Sequence, residues 1–193
     1  MEFMDVIKNR KKIYHFSDKE VPNQVVLQIL EAGHLEHSNQ IDNKWYFGII
    51  RDEEIKKKLS EAAGGQDWIA SAPVIITYCA VAKDSTVKQK YRNRFGENIG
   101  TYYSDYEQNQ KSNSFWESNN PLIPGEHIVL SAINHGLDAC WVGNIDTLEA
   151  SKALNLPYDL KCLFLMPIGY ASKSENFVQR KAIDNLIFYD SWD

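Results

Sequence analysis

The tightest constraint on how this chain can fold lies between Ile128 and Glu149. Ile128, Val129, Ala132 and Ile133 recur at the spacing of one buried helical face, and Gly136 follows as the residue best able to take the left-handed turn that closes a helix. Asp146, with Glu149 three residues on, forms a capping box that opens the next helix. Between the two runs Cys140-Trp141-Val142-Gly143, too apolar for an ordinary surface loop. Two helices joined by so stiff a segment must lay it against the core, and as a bare pattern it fits a packed bend.

The flanking chain supplies both helices and strands. Residues 2–9 read as a short helix with Val6 and Ile7 inward, ending in the basic run Arg10-Lys11-Lys12. Pro22, a favoured first helical residue, opens a second helix whose stripe is Val26, Ile29, Leu30 and Gly33. Trp45 to Ile50 is a strand rich in aromatic and β-branched residues, and 73–82 is a second, apolar enough for a sheet interior. Residues 52–63 form a helix between them, closed by Gly64-Gly65. A helix over 147–155 stops before Pro157, and 161–170 is a third apolar strand. From about 84 to 124 the chain turns polar and carries Tyr91, Phe95, Tyr102, Tyr103, Tyr106, Phe115 and Trp116, the composition of a lid or insertion. A C-terminal arm at about 182–193, with Ile183, Leu186, Ile187, Phe188 and Trp192, must bury its apolar face on something, an added sheet strand being one way to do so. Helices and strands mix without strict alternation, which favours one α+β domain over residues 1–193.

Composition removes several functions. A net charge of −5 argues against nucleic acid as a partner. No apolar run reaches the ~18 residues of a membrane span, and the start lacks a signal-peptide core. Cys79, Cys140 and Cys162 share no C-x-x-C spacing and read as buried, reduced thiols of a cytoplasmic protein; no histidine pair suits a metal. Neither G-x-x-x-x-G-K-[ST] nor G-x-G-x-x-G is present. Ser38, Ser131 and Cys140 have no elbow or assignable base, so hydrolytic chemistry is not expected. Asp52-Glu53-Glu54 suits a helix N-terminus. A phosphate would need side-chain cations, and Arg10-Lys11-Lys12 and Arg180-Lys181 provide two clusters near opposite ends of the chain. Taken alone, each cluster reads as solvated surface charge.

Four segments, in order, resemble the FMN-dependent nitroreductase family. Arg10-Lys11-Lys12-Ile13-Tyr14-His15-Phe16 with Val21-Pro22 is similar to its R-R-S-x-R-x-F…VP opening, with Lys12 in place of Ser and Tyr14 in place of a cation. Glu31-Ala32 through His37-Ser38-Asn39 to Asn43 and Trp45 is similar to E-A-A…A-P-S-x-x-N-x-Q-P-W, with Ile41 where Asn is usual. Leu130 to Gly143 resembles L-A-A-x-x-x-G-L-G-x-x-W-x-G, with Asp138 in place of Gly. Pro167-Ile168-Gly169-Tyr170 and Arg180-Lys181-Ala182-Ile183 resemble the closing strand and the R-K/R-P-L segment.

The resemblance implies an α-β-α sandwich with a mixed sheet, built as an intertwined homodimer with two FMN sites at the interface. It assigns cofactor contacts to Arg10, Lys11, Lys12, Tyr14, His37, Ser38, Asn39, Asn43, Trp141, Val142, Gly143, Arg180 and Lys181, the backbone N–H groups around Trp141, Val142 and Gly143 facing the ring. It implies hydride passing from NAD(P)H through flavin N5 to a nitroaromatic, quinone or similar acceptor in ping-pong order. Tyr14 in the cation's place implies a lower flavin potential. The departures at Lys12, Tyr14 and Ile41 leave open a flavin-binding protein with little turnover, a sensor, carrier or flavin-modifying protein, and a structural protein without flavin stands as a third reading.

Overall fold

In the computed structural model, residues 1–36, 45–81, 122–157, 160–173 and 181–190 are described. In chain order they form α1 (Phe3–Asn9), α2 (Asn23–His34), β1 (Trp45–Ile50), α3 (Glu53–Ala62), α4 (Asp67–Ala70), β2 (Val74–Val81), α5 (Leu122–Asn134), β3 (Asp138–Ala139), α6 (Thr147–Ala153), β4 (Leu160–Gly169) and a 3-10 turn (Ile183–Leu186). The strands lie in the order β1-β2-β4-β3. Each ladder among the described residues is antiparallel, where the resemblance implies a mixed sheet.

Strand side chains alternate between faces, so a strand apolar throughout must be covered on both sides. β2 is such a strand. Val74, Ile76 and Tyr78 enter one core with Met166 and Ile168 of β4, beneath Val26 and Ile29 of α2 and Ile128, Val129, Ala132 and Ile133 of α5. Ile75 and Cys79 enter the other with Cys162 and Leu165, against Leu59 and Ala62 of α3, Ile69 of α4 and Ala150 of α6. The result is the three-layer α+β sandwich. The β2–β4 register shifts between Tyr78 and Cys79, so pairing runs Val74↔Ile168 at one end and Val81↔Leu160 at the other.

Local chemistry sets most boundaries. Gly64 and Gly65, at φ of 81° and 71°, end α3, and Gly136 at 75° ends α5 as its position implies. A Cβ on Gly33 would lie 2.7 Å from Ile128 Cγ1, so this glycine lets α2 and α5 pack closely. Lys56 is buried within α3, its ammonium donating to Ala72 O at 2.8 Å and pairing with Glu53 at 2.8 Å.

The 84–124 segment lies outside the described residues except at its end, where 122–124 already belong to α5 with Pro124 in its first turn, a position that tolerates proline. The arm does not join the described sheet; it makes the 3-10 turn and an extended run that leaves Ile183, Leu186, Ile187, Phe188 and Tyr189 exposed.

The Asp146 cap is as its spacing implies, Oδ1 accepting from Leu148 N at 2.9 Å and Glu149 N at 3.0 Å. Asp146→Ala is expected to cost about 1 kcal/mol, read as a lower urea midpoint with an unchanged m-value.

Candidate functional site

Among the described residues the Cys140–Gly143 segment lies along the β3 edge of the sheet. β3 pairs Asp138↔Gly169 and Ala139↔Ile168. Beyond it Cys140 N–H donates to Pro167 O at 3.2 Å, and Val142 and Leu165 exchange both backbone bonds at 2.9 and 3.0 Å. Because N–H groups alternate along an extended chain, those of Cys140 and Val142 face β4, while those of Trp141 and Gly143 turn off the edge. This corrects one expectation: the Val142 N–H is taken by the sheet and its side chain is buried, so of the three amides only those of Trp141 and Gly143 are directed off the edge.

Trp141 is seated by the helix before it. Its indole lies so close over Gly125 of α5 that a Cβ there would overlap Cη2 and Cζ2. It meets Phe164 of β4 edge-on, ring centres 5.5 Å apart, and its Nε1 donates to Glu126 Oε2 at 3.2 Å. Leu122, Glu126, Trp141, Gly143 and Phe164 line a cleft of about 320 Å³, and among these described residues Glu126 alone is charged.

The basic run is strapped beside this edge. Ile13 and Phe16 are buried anchors in the second core. Ser17 N–H donates to Tyr170 O at 2.8 Å and Ser172 N–H to His15 O at 3.0 Å, so residues 15–17 pair with the chain leaving β4. Arg10 Nη2 meets Glu126 Oε2 at 3.1 Å, the oxygen that also receives Trp141. Burial pushes the Cys140 thiol up, opposed by Lys12, Arg10 and the Ile13 N–H. Burial likewise raises the Asp138 carboxyl, opposed by the Ala171 N–H and by Lys11.

The structure therefore brings Arg10 to Trp141 through Glu126, and sets Lys12 within electrostatic reach of Cys140 and Lys11 of Asp138. Tyr14 is half-exposed and turns toward α4, its ring edge-on to Trp68 at 4.9 Å. Lys181 is exposed at the head of the C-terminal segment. His37, Ser38, Asn39, Asn43 and Arg180 lie outside the described residues. All three cysteines are buried free thiols, and among the described residues no His, Cys, Asp and Glu group suits a metal.

Glu126, Leu122 and Phe164 are site residues that sequence reasoning missed. Glu126 carried a signal, being a lone carboxylate in the apolar helix Leu122–Asn134. Phe164 carried none, since an aromatic in an apolar strand reads as core.

Residues 7–170 match the nitroreductase family. A Methanothermobacter thermautotrophicus protein, provisionally named an NADH dehydrogenase/NAD(P)H nitroreductase, is 25% identical over 178 residues, covering 90% of this chain and 80% of that one. The crystal structure of a nitroreductase family protein from Streptococcus pneumoniae superposes with a TM-score of 0.75 at 20% identity, covering 97% of this chain and 99% of the other. The NADPH:FMN oxidoreductase from Vibrio harveyi, solved with NAD+, superposes with a TM-score of 0.76 at 18% identity, covering 99% of this chain and 78% of that chain.

Gly125→Ala is expected to lower stability by about 1–2 kcal/mol, the overlap outweighing the helix-propensity gain, and to change tryptophan emission as Trp141 is displaced. Asp138→Asn should separate from wild type with pH. A carboxyl raised by folding contributes stability below its unfolded value of about 3.9 and loses it as pH rises through the higher folded value. The variant should thus gain on wild type across that window and hold the gain to neutrality, as paired denaturation curves would register.

Proposed function

Because the chain belongs to the nitroreductase family, we propose that it is an FMN-dependent oxidoreductase, drawing reducing equivalents from NAD(P)H and passing them to an electron-poor nitroaromatic, quinone or similar acceptor. The two substrates would use one cleft in turn, the ping-pong order. The observation that carries this reading is the juxtaposition, at one sheet edge, of Arg10 joined through Glu126 to Trp141, two outward backbone N–H groups and an aromatic cleft.

These residues fit the cofactor. Arg10, Lys11 and Lys12 offer the charge-assisted bonds a phosphate needs. The Trp141 and Gly143 N–H groups offer fixed donors to the polar edge of a flat ring. A Cβ at Gly143 would sit 3.3 Å from Phe164 Cε1, so glycine lets the edge lie close against that ring. When bound, FMN would supply the hydride-accepting and hydride-donating centre at N5, and the protein placement and electrostatics. Leu122, Trp141 and Phe164 would exclude water, strengthening each polar contact. Tyr14, His37, Ser38, Asn39, Asn43, Arg180 and Lys181 complete the proposed site.

The arm supports a homodimer. Ile183, Leu186, Ile187, Phe188 and Tyr189 form an exposed apolar run on one chain, and a second copy of the chain is the partner we assign to it. Buried thiols in all three cysteines favour a reducing, cytoplasmic setting, and no helix among the described residues is long and apolar enough to cross a membrane.

One observation favours the reading of a flavin-binding protein with little turnover: Tyr14, an uncharged phenol beside Trp68, stands where the family carries a cation. The visible spectrum of the purified protein after incubation with FMN, followed by NAD(P)H oxidation with menadione or a nitrofuran, separates the readings. A yellow protein that turns over supports the oxidoreductase; yellow without turnover supports the alternative, and a protein that stays colourless overturns both. Tyr14→Arg should raise the midpoint potential of bound FMN by about 20 mV or more, from roughly 1 kcal/mol of added attraction to the electron-rich ring. An unchanged or lower potential would remove Tyr14 from the pyrimidine edge.

A further inference from the structure

A single oxygen of Glu126 answers two donors from opposite sides of the candidate site. Arg10 Nη2 reaches it at 3.1 Å from the end of α1, and Trp141 Nε1 at 3.2 Å from the sheet edge. Glu126 is also the charged member of the described cleft lining. Neither side chain of the ion pair is buried, with 42% of Arg10 and 37% of Glu126 exposed, so a solute anion can reach the guanidinium. A phosphate arriving there meets a cation whose charge is partly answered and a like charge beside it.

We propose that Glu126 is a specificity-determining residue that weakens the site's hold on phosphorylated ligands by competing for Arg10. The inference rests on the reading that Arg10 belongs to the phosphate grip of a flavin site. Its physical content is electrostatic. Arg10 carries five N–H donors, and Glu126 occupies one face of them, so phosphate and carboxylate divide one cation. Replacing the carboxylate by its amide keeps the shape and an acceptor oxygen for Arg10 and Trp141 while removing the charge.

The test compares FMN with riboflavin, which shares the ring and lacks the phosphate, on wild type and Glu126→Gln. The ratio of the two dissociation constants cancels whatever the substitution does to the ring site. At low salt the preference for FMN over riboflavin should rise roughly fivefold in Glu126→Gln, the scale of one part-exposed charge interaction. At several hundred millimolar salt the gain should shrink toward nothing, since screening weakens exposed charge pairs. In an Arg10→Gln background the same substitution should raise the ratio by clearly less, because only the direct repulsion between carboxylate and phosphate is left to relieve.

A preference that stays level or falls in Glu126→Gln, or rises equally without Arg10, would overturn the inference while leaving flavin binding intact. Failure of wild type and Glu126→Gln alike to bind FMN would remove the cofactor reading and this inference together.

Discussion

Everything in the candidate site hangs on the two-way backbone bond between Val142 and Leu165. That pair fixes the phase of the edge segment against β4, and phase in an extended chain decides which amides face the sheet. Shifted by one residue, the segment would turn Cys140 and Val142 outward and draw the Trp141 and Gly143 donors into the ladder. The same pairing aims Trp141 at Gly125 and Phe164, so the cleft wall and the donors beside it follow from one register.

The basic run is placed by apolar anchors more than by its charges. Ile13 and Phe16 sink into the second core on either side of Tyr14, and the bonds from Ser17 and to His15 tie the strap to the end of β4. The backbone that carries these cations is thus fixed by folding itself. That is the preorganisation a binding site needs, because the ordering cost is met during folding. Arg10, at the junction of α1 and the strap, joins the run to α5 through Glu126.

Much of this was legible from residue order. The β1 bounds, the Asp146 cap, the Gly136 turn and the stripe of α5 follow from local chemistry, which a chain carries in its own neighbourhood. The short α4 was missed, since four residues show no helical period. Val142 was misread as a ring-facing donor because its role depends on partners in β4, more than twenty positions later. Glu126 went unremarked because a carboxylate in a helix reads as solvated until Arg10 and Trp141 are seen to converge on it. The arm's apolar content was plain; that it stands clear of its own sheet was not.

β2 contributes alternate residues to both cores, with Ile75, Ile76 and Tyr78 each wholly shielded from solvent. One strand thus serves as the ceiling of one half-core and the floor of the other, and neither helical layer can peel away without baring it. Its amide protons should be among the last in the molecule to trade with deuterium, released only when the whole domain opens. The cleft lies at the far margin of the same sheet, on β3 and its extension. A guest held there is separated by β4 from the strand that keeps the domain in one piece.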